Sequence, residues 1–158
     1  MLKINRKVEY GLVAMRHMSE KPREHLTSVR EICDLYGTPF DPLAHVLRLL
    51  NRGGVVQSEQ GAHGGYRISV NLDELSLAEF IRVIDGQLAF ADCLRHDKRD
   101  DCCLSPNCNI IQPMTALNDR LVEFLGAVTL GELLKGQGKP TERSTEKMSP
   151  FLLKTASI

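Results

Sequence analysis

Residues 28–70, SVREICDLYGTPFDPLAHVLRLLNRGGVVQSEQGAHGGYRISV, contain the pattern that decides the fold. Ser28 and Glu31 have the spacing of a helix capping box, and Gly37 is typical of a helix end. After a short link, Asp41 is expected to cap a second helix. The apolar positions of that helix recur at helical spacing before a glycine pair: Leu43, Val46, Leu47 and Leu50, then Gly53 and Gly54. Two helices joined by so short a turn predict a helix-turn-helix.

Two short β-forming runs follow directly, at residues 55–58 and 66–70, with a glycine-rich loop at 61–65 between them. They predict a hairpin, which needs the support of the helices because an isolated hairpin is marginal in water. A helix over about 4–19 and another from the capping box at Ser76 and Glu79 complete the unit. The fold class is therefore mainly α, and residues 1–88 are predicted to form a winged helix-turn-helix domain with a small β-hairpin wing.

The remainder divides into three segments. Residues 89–111 form a polar loop that contains four of the five cysteines, and long loops of this kind are usually functional or disordered. Residues 112–134 are predicted to contain an amphipathic helix. Its apolar stripe consists of Met114, Leu117, Leu121, Phe124, Leu125 and Val128. A lone helix must bury such a stripe, so we expect a dimerisation helix and a homodimer. Residues 135–158 lose all periodicity and are expected to be a disordered tail.

Composition narrows the class of protein. The 158 residues are 42% hydrophobic and 25% charged, with a formal net charge of zero. Zero net charge excludes histone-like binding of nucleic acid, so any contact with DNA must come from a local patch. The sequence has neither a signal peptide nor an apolar run of about 18 residues, so we expect a cytoplasmic protein with no membrane partner. No catalytic grouping or nucleotide fingerprint is present, so we do not expect an enzyme.

Candidate DNA contacts follow from the geometry of a helix in the major groove, where the exposed face near the N-terminal end reaches base edges. On the second helix of the helix-turn-helix, the residues expected on that face are Asp41, Ala44, His45 and Arg48. Arg52, one turn further on, would reach only the DNA backbone. The wing adds His63 and Arg67, which could enter the adjacent minor groove. Solvated arginines and a plain hairpin turn are the alternative interpretations.

The cysteine-rich loop is the strongest chemical signal. Thiolate sulfur is the preferred ligand of iron-sulfur clusters, and the loop carries Cys93, Cys102 and Cys108. Zinc is the main competitor, although structural zinc sites usually use cysteine pairs two to four residues apart. A disulfide redox switch and unliganded thiols are further alternatives. The isolated Cys33 is expected to be a small buried hydrophobe.

These residues resemble the bacterial winged-helix transcription regulators of the Rrf-type family that includes IscR and NsrR. The marks of the resemblance cover residues 1–134: KVEYGLVAM, QGAHGGYRIS, LAEFIRVIDG, the cysteine loop and DRLVEFLGAVTLGELL. The family's loop pattern is C-x5-C-x5-C. Cys102 and Cys108 match that spacing, whereas the stretch from Cys93 to Cys102 is three residues longer. Cys103 is then a spare or an alternative ligand.

The resemblance also implies a ligand set. IscR-like members have a histidine three residues after the last cysteine, but this chain has Ile111 there, which cannot bind metal. NsrR-like members use a carboxylate from the first helix of the partner subunit, and the matching residue is Glu9. The resemblance therefore implies a 4Fe-4S or 2Fe-2S cluster held by Cys93, Cys102, Cys108 and Glu9.

The function that this resemblance implies is a DNA-binding transcription regulator, expected to be a repressor. Its partner would be double-stranded operator DNA, and it would sense iron-sulfur status, nitric oxide or redox state. Two alternatives stay open. One is a regulator of the same fold that lacks a cluster and uses thiol-disulfide chemistry or a small ligand. The other is a zinc-stabilised interaction module.

Overall fold

The computed structural model describes residues 4–61, 64–95 and 107–136. In chain order the elements are α1 (Arg6–Ser19), α2 (Val29–Tyr36), α3 (Phe40–Arg52), β1 (Val56–Glu59), β2 (Gly65–Ile68), α4 (Leu77–Asp85), a single 3₁₀ turn (Asp92–Leu94), α5 (Ile111–Ala127) and α6 (Leu130–Leu134). The mainly helical winged helix-turn-helix with a β-hairpin and a long C-terminal helix is confirmed. The predictions for His63, Cys102, Cys103 and the tail beyond residue 136 concern residues outside the described ranges.

The first two helices begin and end on local signals. Asn5 caps α1, since its side chain accepts from the Lys7 amide at 3.1 Å. Ser28 caps α2, and its hydroxyl accepts from the Glu31 amide at 3.1 Å. Gly37 ends α2 at a φ of 64°, a left-handed conformation that glycine adopts without a steric penalty.

Helix α3 is the second helix of the helix-turn-helix, called the recognition helix in this fold. It starts earlier than the sequence predicts. Its N-cap is Pro39, whose carbonyl accepts from the Leu43 amide at 3.2 Å and closes the first turn. The prediction that Asp41 caps this helix is therefore wrong, because Asp41 already lies within that turn. Pro42 does lie in the first turn, where its missing N–H removes no helical hydrogen bond.

The wing is a two-stranded antiparallel sheet that is tied to its surroundings on both edges. Thr27 extends the sheet next to β2, because its N–H and C=O exchange 2.9 Å hydrogen bonds with the backbone of Tyr66. On the other edge, Asn51 of α3 accepts from the Ser58 amide of β1 at 3.0 Å. The Ser69 hydroxyl adds a 2.7 Å bond to the Gly54 carbonyl. Since an isolated hairpin is marginally stable, these bonds fix the wing relative to the recognition helix.

The core lies between α1, α3 and α4. Its largest fully buried side chains are Phe80, Met15, Ile32, Leu43, Leu47 and Leu50. Helices α1 and α4 approach closely at Gly11, where a Cβ would lie 2.7 Å from Ile84 Cδ1 and 2.9 Å from Phe80 Cζ. Only glycine permits that approach without displacement of the core.

The C-terminal helices leave this core and then return to it. No residue of α5 is buried in the single chain. In contrast, Leu130 at the start of α6 is fully buried in the core cluster. Two 2.8 Å backbone bonds hold the return, from the Leu77 amide to the Val128 carbonyl and from the Leu130 amide to the Leu75 carbonyl. In the described part of the chain, no helix has the length and hydrophobicity to cross a bilayer.

Candidate DNA-binding surface and cysteine loop

The outer face of α3 presents three polar side chains in its first three turns. Asp41, His45 and Arg48 are all exposed, and Arg52 is exposed at the end of the helix. Ala44 is only 6% exposed, so the expectation that it lies on the exposed face is wrong. The cause is helical geometry, because Ala44 lies one turn before the buried Leu47 and so at the border of the face that packs into the core.

A large apolar side chain, that of Phe40, lies at the same end of α3, in the segment that the sequence predicts to be a link. Phe40 is the first residue of the helix and is 51% exposed. It is absent from the core cluster and from the residues that pack against it within the described chain. The sequence signal for this position is Pro39, because a helix that has Pro39 as its N-cap has Phe40 as its first residue.

On the wing, the Arg67 side chain already has partners within the protein, which the sequence does not indicate. Arg67 is held on the sheet by a 2.7 Å ion pair with Glu59 and a 3.4 Å ion pair with Glu24. Its guanidinium also donates to the side chain of Gln57, the cross-strand neighbour, at 3.3 Å. A phosphate contact by Arg67 would therefore have to compete with carboxylates that are already in place.

A polar cluster that the sequence did not reveal fixes α2 against α1. His17 is buried, and its ring nitrogens lie 3.1 Å from the Tyr36 hydroxyl and 3.1 Å from a carboxylate oxygen of Glu31. Lys21 pairs with the same oxygen. Partial burial alone would raise the pKa of Glu31, but hydrogen bonds and charges from Lys21 and His17 outweigh it, and the pKa is lowered. This cluster holds the first helix of the helix-turn-helix in position.

The described ends of the cysteine loop both meet α5. The Phe90 amide donates to the Asn118 side chain at 2.9 Å, and Cys93 follows in the 3₁₀ turn. Cys108 lies just before α5 begins at Ile111. At 1.5 Å per residue, Asn118 is about 10 Å along the helix from Ile111. Both described loop cysteines, Cys93 and Cys108, are partly exposed free thiols.

Glu9 lies on α1 and forms an ion pair with Arg6 of the same helix. Its carboxylate accepts from Arg6 at 2.7 Å; the Arg6 side chain is well exposed, and that of Glu9 is partly exposed. Pairs of this kind contribute little and exchange easily. Among the residues that the structure describes, no three histidine, cysteine or acidic side chains form a group that could hold a metal. Cys33 contacts the core, and its sulfur accepts a long 3.6 Å bond from the Thr38 hydroxyl.

The outer face of α5 carries apolar side chains that no other described residue covers. Leu117 and Phe124 are exposed, as is Ile110 just before the helix, and Phe124 is 60% exposed. Two of these side chains belong to the stripe that the sequence predicts for dimerisation. Large side chains that stay exposed along one long helix mark an interaction surface.

Comparisons with known proteins extend over nearly all of this architecture. The Rrf2 family model, described as an iron-dependent transcriptional regulator, matches residues 4–136. A putative HTH-type transcriptional regulator, rrf2-like, from Rhodobacter capsulatus is 29% identical over 149 residues, covering 90% of this chain and 99% of that protein. The structure of CymR, the global cysteine regulator of B. subtilis, is 26% identical with a TM-score of 0.65, covering 86% and 98% of the two chains. The T. potens IscR structure is 23% identical with a TM-score of 0.60, covering 96% of each chain, and shares the fold.

Proposed function

This chain belongs to the Rrf2 family of transcriptional regulators, and we propose that it represses transcription as a homodimer on a palindromic operator, under the control of a cysteine-ligated iron-sulfur cluster. A DNA-binding regulator, rather than an enzyme, is what the family match establishes. The observation that supports the finer proposal is that both described ends of the loop are tied to α5, because Phe90, three residues before Cys93, is bonded to Asn118 and Cys108 lies three residues before Ile111. A regulator of bacterial transcription acts where the chromosome lies, in the cytoplasm.

The DNA-reading part of the proposal uses α3 in the major groove. Arg48 and His45 lie three residues apart on the exposed face, and each could donate to guanine or to a phosphate. Arg52 would bind the DNA backbone, and the wing loop that contains His63 would follow the minor groove. Arg67 supports this wing through Glu59 and contacts DNA only by exchange of that partner.

The α3 assignment is tested by binding of Arg48→Ala to an operator selected from random DNA. Loss of an arginine that contacts a base lowers affinity by about tenfold or more and relaxes specificity at one position. Arg82→Ala is the matched control, because Arg82 is also an exposed helical arginine but lies on α4. Equal losses in both variants at the same salt concentration would contradict the assignment.

The dimer is proposed to form through α5. Two copies of the helix would bury Leu117 and Phe124 against each other and hold the two recognition helices about one turn of DNA apart. The fold itself favours this arrangement, because α6 and the 2.8 Å bond from the Leu77 amide of α4 to the Val128 carbonyl hold the end of α5 on the winged domain. A partner helix would therefore keep a defined orientation relative to α3.

The residues of the loop fit an iron-sulfur cluster by their chemistry. When bound, the cluster would supply a redox-active or nitric-oxide-reactive centre. Cys93, Cys108 and one of Cys102 and Cys103 would provide three thiolates, and Glu9 of the partner subunit would provide an oxygen ligand. The Arg6 side chain that pairs with Glu9 is well exposed, and a pair of this kind can be given up at little cost. A hard oxygen among soft sulfur ligands is the weakest member of the set.

The cluster is tested by iron and acid-labile sulfide measured after purification without air. Cys93→Ser and Cys108→Ser should each lose the visible absorption and the sulfide, while the helical content stays unchanged. Cys33→Ser is the control, because that thiol packs against the core away from the loop, and it should retain both. Iron and sulfide that persist in a Cys93→Ser, Cys108→Ser double variant would refute the ligand set.

Metal and sulfide analysis of the same purified protein distinguishes an iron-sulfur cluster from the alternatives. Zinc without sulfide would indicate a zinc-stabilised loop. Metal-free protein whose loop thiols oxidise reversibly would indicate a regulator of the same fold that works by disulfide chemistry. Reporter expression from the selected operator, with and without the intact gene, decides between repression and activation.

A further inference from the structure

Phe40, the first residue of the recognition helix, is exposed, and neither core packing nor the DNA contacts proposed above account for this exposure. Phe40 is 51% exposed and belongs neither to the core nor to the described side chains that pack on it. A phenylalanine removed from water gains substantial free energy, so its exposure in the free protein leaves that gain available for a partner.

The location of Phe40 determines which partner it meets. Side chains of an α-helix tilt toward its N-terminus, so Phe40 projects beyond the first turn of α3. That end of a recognition helix is the part that enters the major groove. The next residue, Asp41, is exposed, and so is His45 one turn later. Phe40 therefore precedes the polar side chains that are proposed to read bases, at the leading end of the helix and on the side that Ala44 continues one turn later.

The chemistry of the groove then limits what an aromatic ring can recognise there. The major-groove edges of the bases present mainly hydrogen-bond donors and acceptors, which an apolar ring cannot satisfy. The C5-methyl group of thymine is the large apolar feature in that groove, and phenylalanine contacts it in known readout. We infer that Phe40 is a specificity-determining residue that packs against a thymine methyl group in each operator half-site. This inference rests on the proposed reading of DNA by α3.

The test combines a change in the protein with the removal of single methyl groups from the DNA. An operator is first selected from random duplexes with the full-length protein, and each thymine is then replaced by uracil, which lacks only the C5-methyl. Binding is measured by fluorescence anisotropy at one salt concentration. At the contacted thymine, uracil should weaken wild-type binding about fourfold, the factor expected for loss of one buried methyl-sized group.

The variant Phe40→Ala should bind the thymine and uracil operators equally at that position. Leu35→Ala is the matched control, since Leu35 is 63% exposed on α2 but does not lie on the recognition helix, and it should keep the fourfold difference. Phe40→Leu keeps an apolar side chain and should retain a smaller difference, which separates readout from an effect on the helix terminus.

Two results would overturn the inference. One is a Phe40→Ala variant with the same sensitivity as wild type at every uracil position, because the methyl effect would then come from DNA deformability. The other is an operator without any uracil-sensitive thymine. Failure of the proposed function is distinct from both, since a chain that does not read DNA would select no operator at all.

Discussion

The same substitution, threonine to valine, should have opposite effects at two positions of this fold. Thr27 is 1% exposed, and its hydroxyl oxygen has no hydrogen-bond partner among the described residues. Thr129 is the N-cap of α6, and its hydroxyl oxygen accepts from the Glu132 amide at 3.2 Å. Both residues occupy extended backbone, where valine and threonine are similarly favoured. The contrast therefore isolates the hydroxyl group.

The magnitudes follow from the two environments. A buried hydroxyl without a partner costs about 1–3 kcal/mol, so Thr27→Val should raise the free energy of unfolding by about 1.5 kcal/mol. The backbone bonds of Thr27 to Tyr66 do not involve the side chain and should survive. Loss of a threonine cap costs about 1 kcal/mol, so Thr129→Val should lower the free energy of unfolding by that amount.

Thermal melting monitored by circular dichroism gives the test. For a chain of about 150 residues, each kcal/mol corresponds to about 2–4 °C, so the Tm values of the two variants should differ by about 5–10 °C. All samples need one protein concentration, because self-association shifts Tm. A lower Tm for Thr27→Val than for wild type would show that its hydroxyl is satisfied and that the reasoning is wrong.

Three further predictions concern the dimer, the pH dependence and the wing. Phe124→Glu should weaken self-association at least about a hundredfold, because two large apolar side chains lose their buried site; sedimentation should show this, with Arg120→Ala unchanged. The pKa of Glu31 is lowered below its ordinary value of 4.5 in the fold, so this carboxylate contributes stability above that pH, and the contribution is lost as the pH falls through the folded-state pKa. Glu31→Gln should flatten the pH dependence of the urea midpoint in that acidic range, and an unchanged slope would contradict the assignment. Asn51→Ala removes the acceptor of the Ser58 amide and should cost about 1 kcal/mol and speed hydrogen exchange there, whereas Asn51→Asp, which keeps an acceptor, should not.

The parts of the fold that the sequence predicts are those encoded by neighbouring residues. Ser76 and Glu79 form the complete capping box, with 3.2 Å and 3.0 Å bonds between side chains and amides, and Gly37 has the positive φ expected of a helix end. Strong local signals of this kind act within one turn of chain. They therefore appear in the sequence without any knowledge of packing.

The parts that could not be predicted depend on contacts across the fold. Glu31 has capping-box spacing, yet its side chain turns to His17 and Lys21, so only half of the box forms. Thr27 joins the wing through Tyr66, far along the chain, and no pattern around Thr27 indicates a strand. Ala44 satisfies the spacing of an exposed position, but the width of the buried face of α3 depends on the neighbouring helices.

The site was predictable to the same extent. The exposure of His45 and Arg48 follows from helical periodicity, which the structure reproduces. The ion pair between Arg67 and Glu59 could not be predicted, because it depends on the strand register that pairs Gln57 with Arg67. The exposure of Phe40 could not be predicted, because the sequence places the helix start two residues later, at the Asp41 cap, and a residue in a link has no defined direction whereas the first residue of a helix does.

The arrangement of the helices explains how events at α5 could reach the DNA-reading helix. The end of α5 is bonded to the start of α4 through the Val128 carbonyl and the Leu77 amide at 2.8 Å. The other end of α4 packs on the end of α3, where a Cβ on Gly53 would lie 2.5 Å from Val83 Cγ1. Close-packed contacts of this kind transmit displacement rather than absorb it. A change at the cysteine loop or between two α5 helices would therefore tilt α3 through α4, and in a dimer that reads two half-sites such a tilt acts on both copies at once.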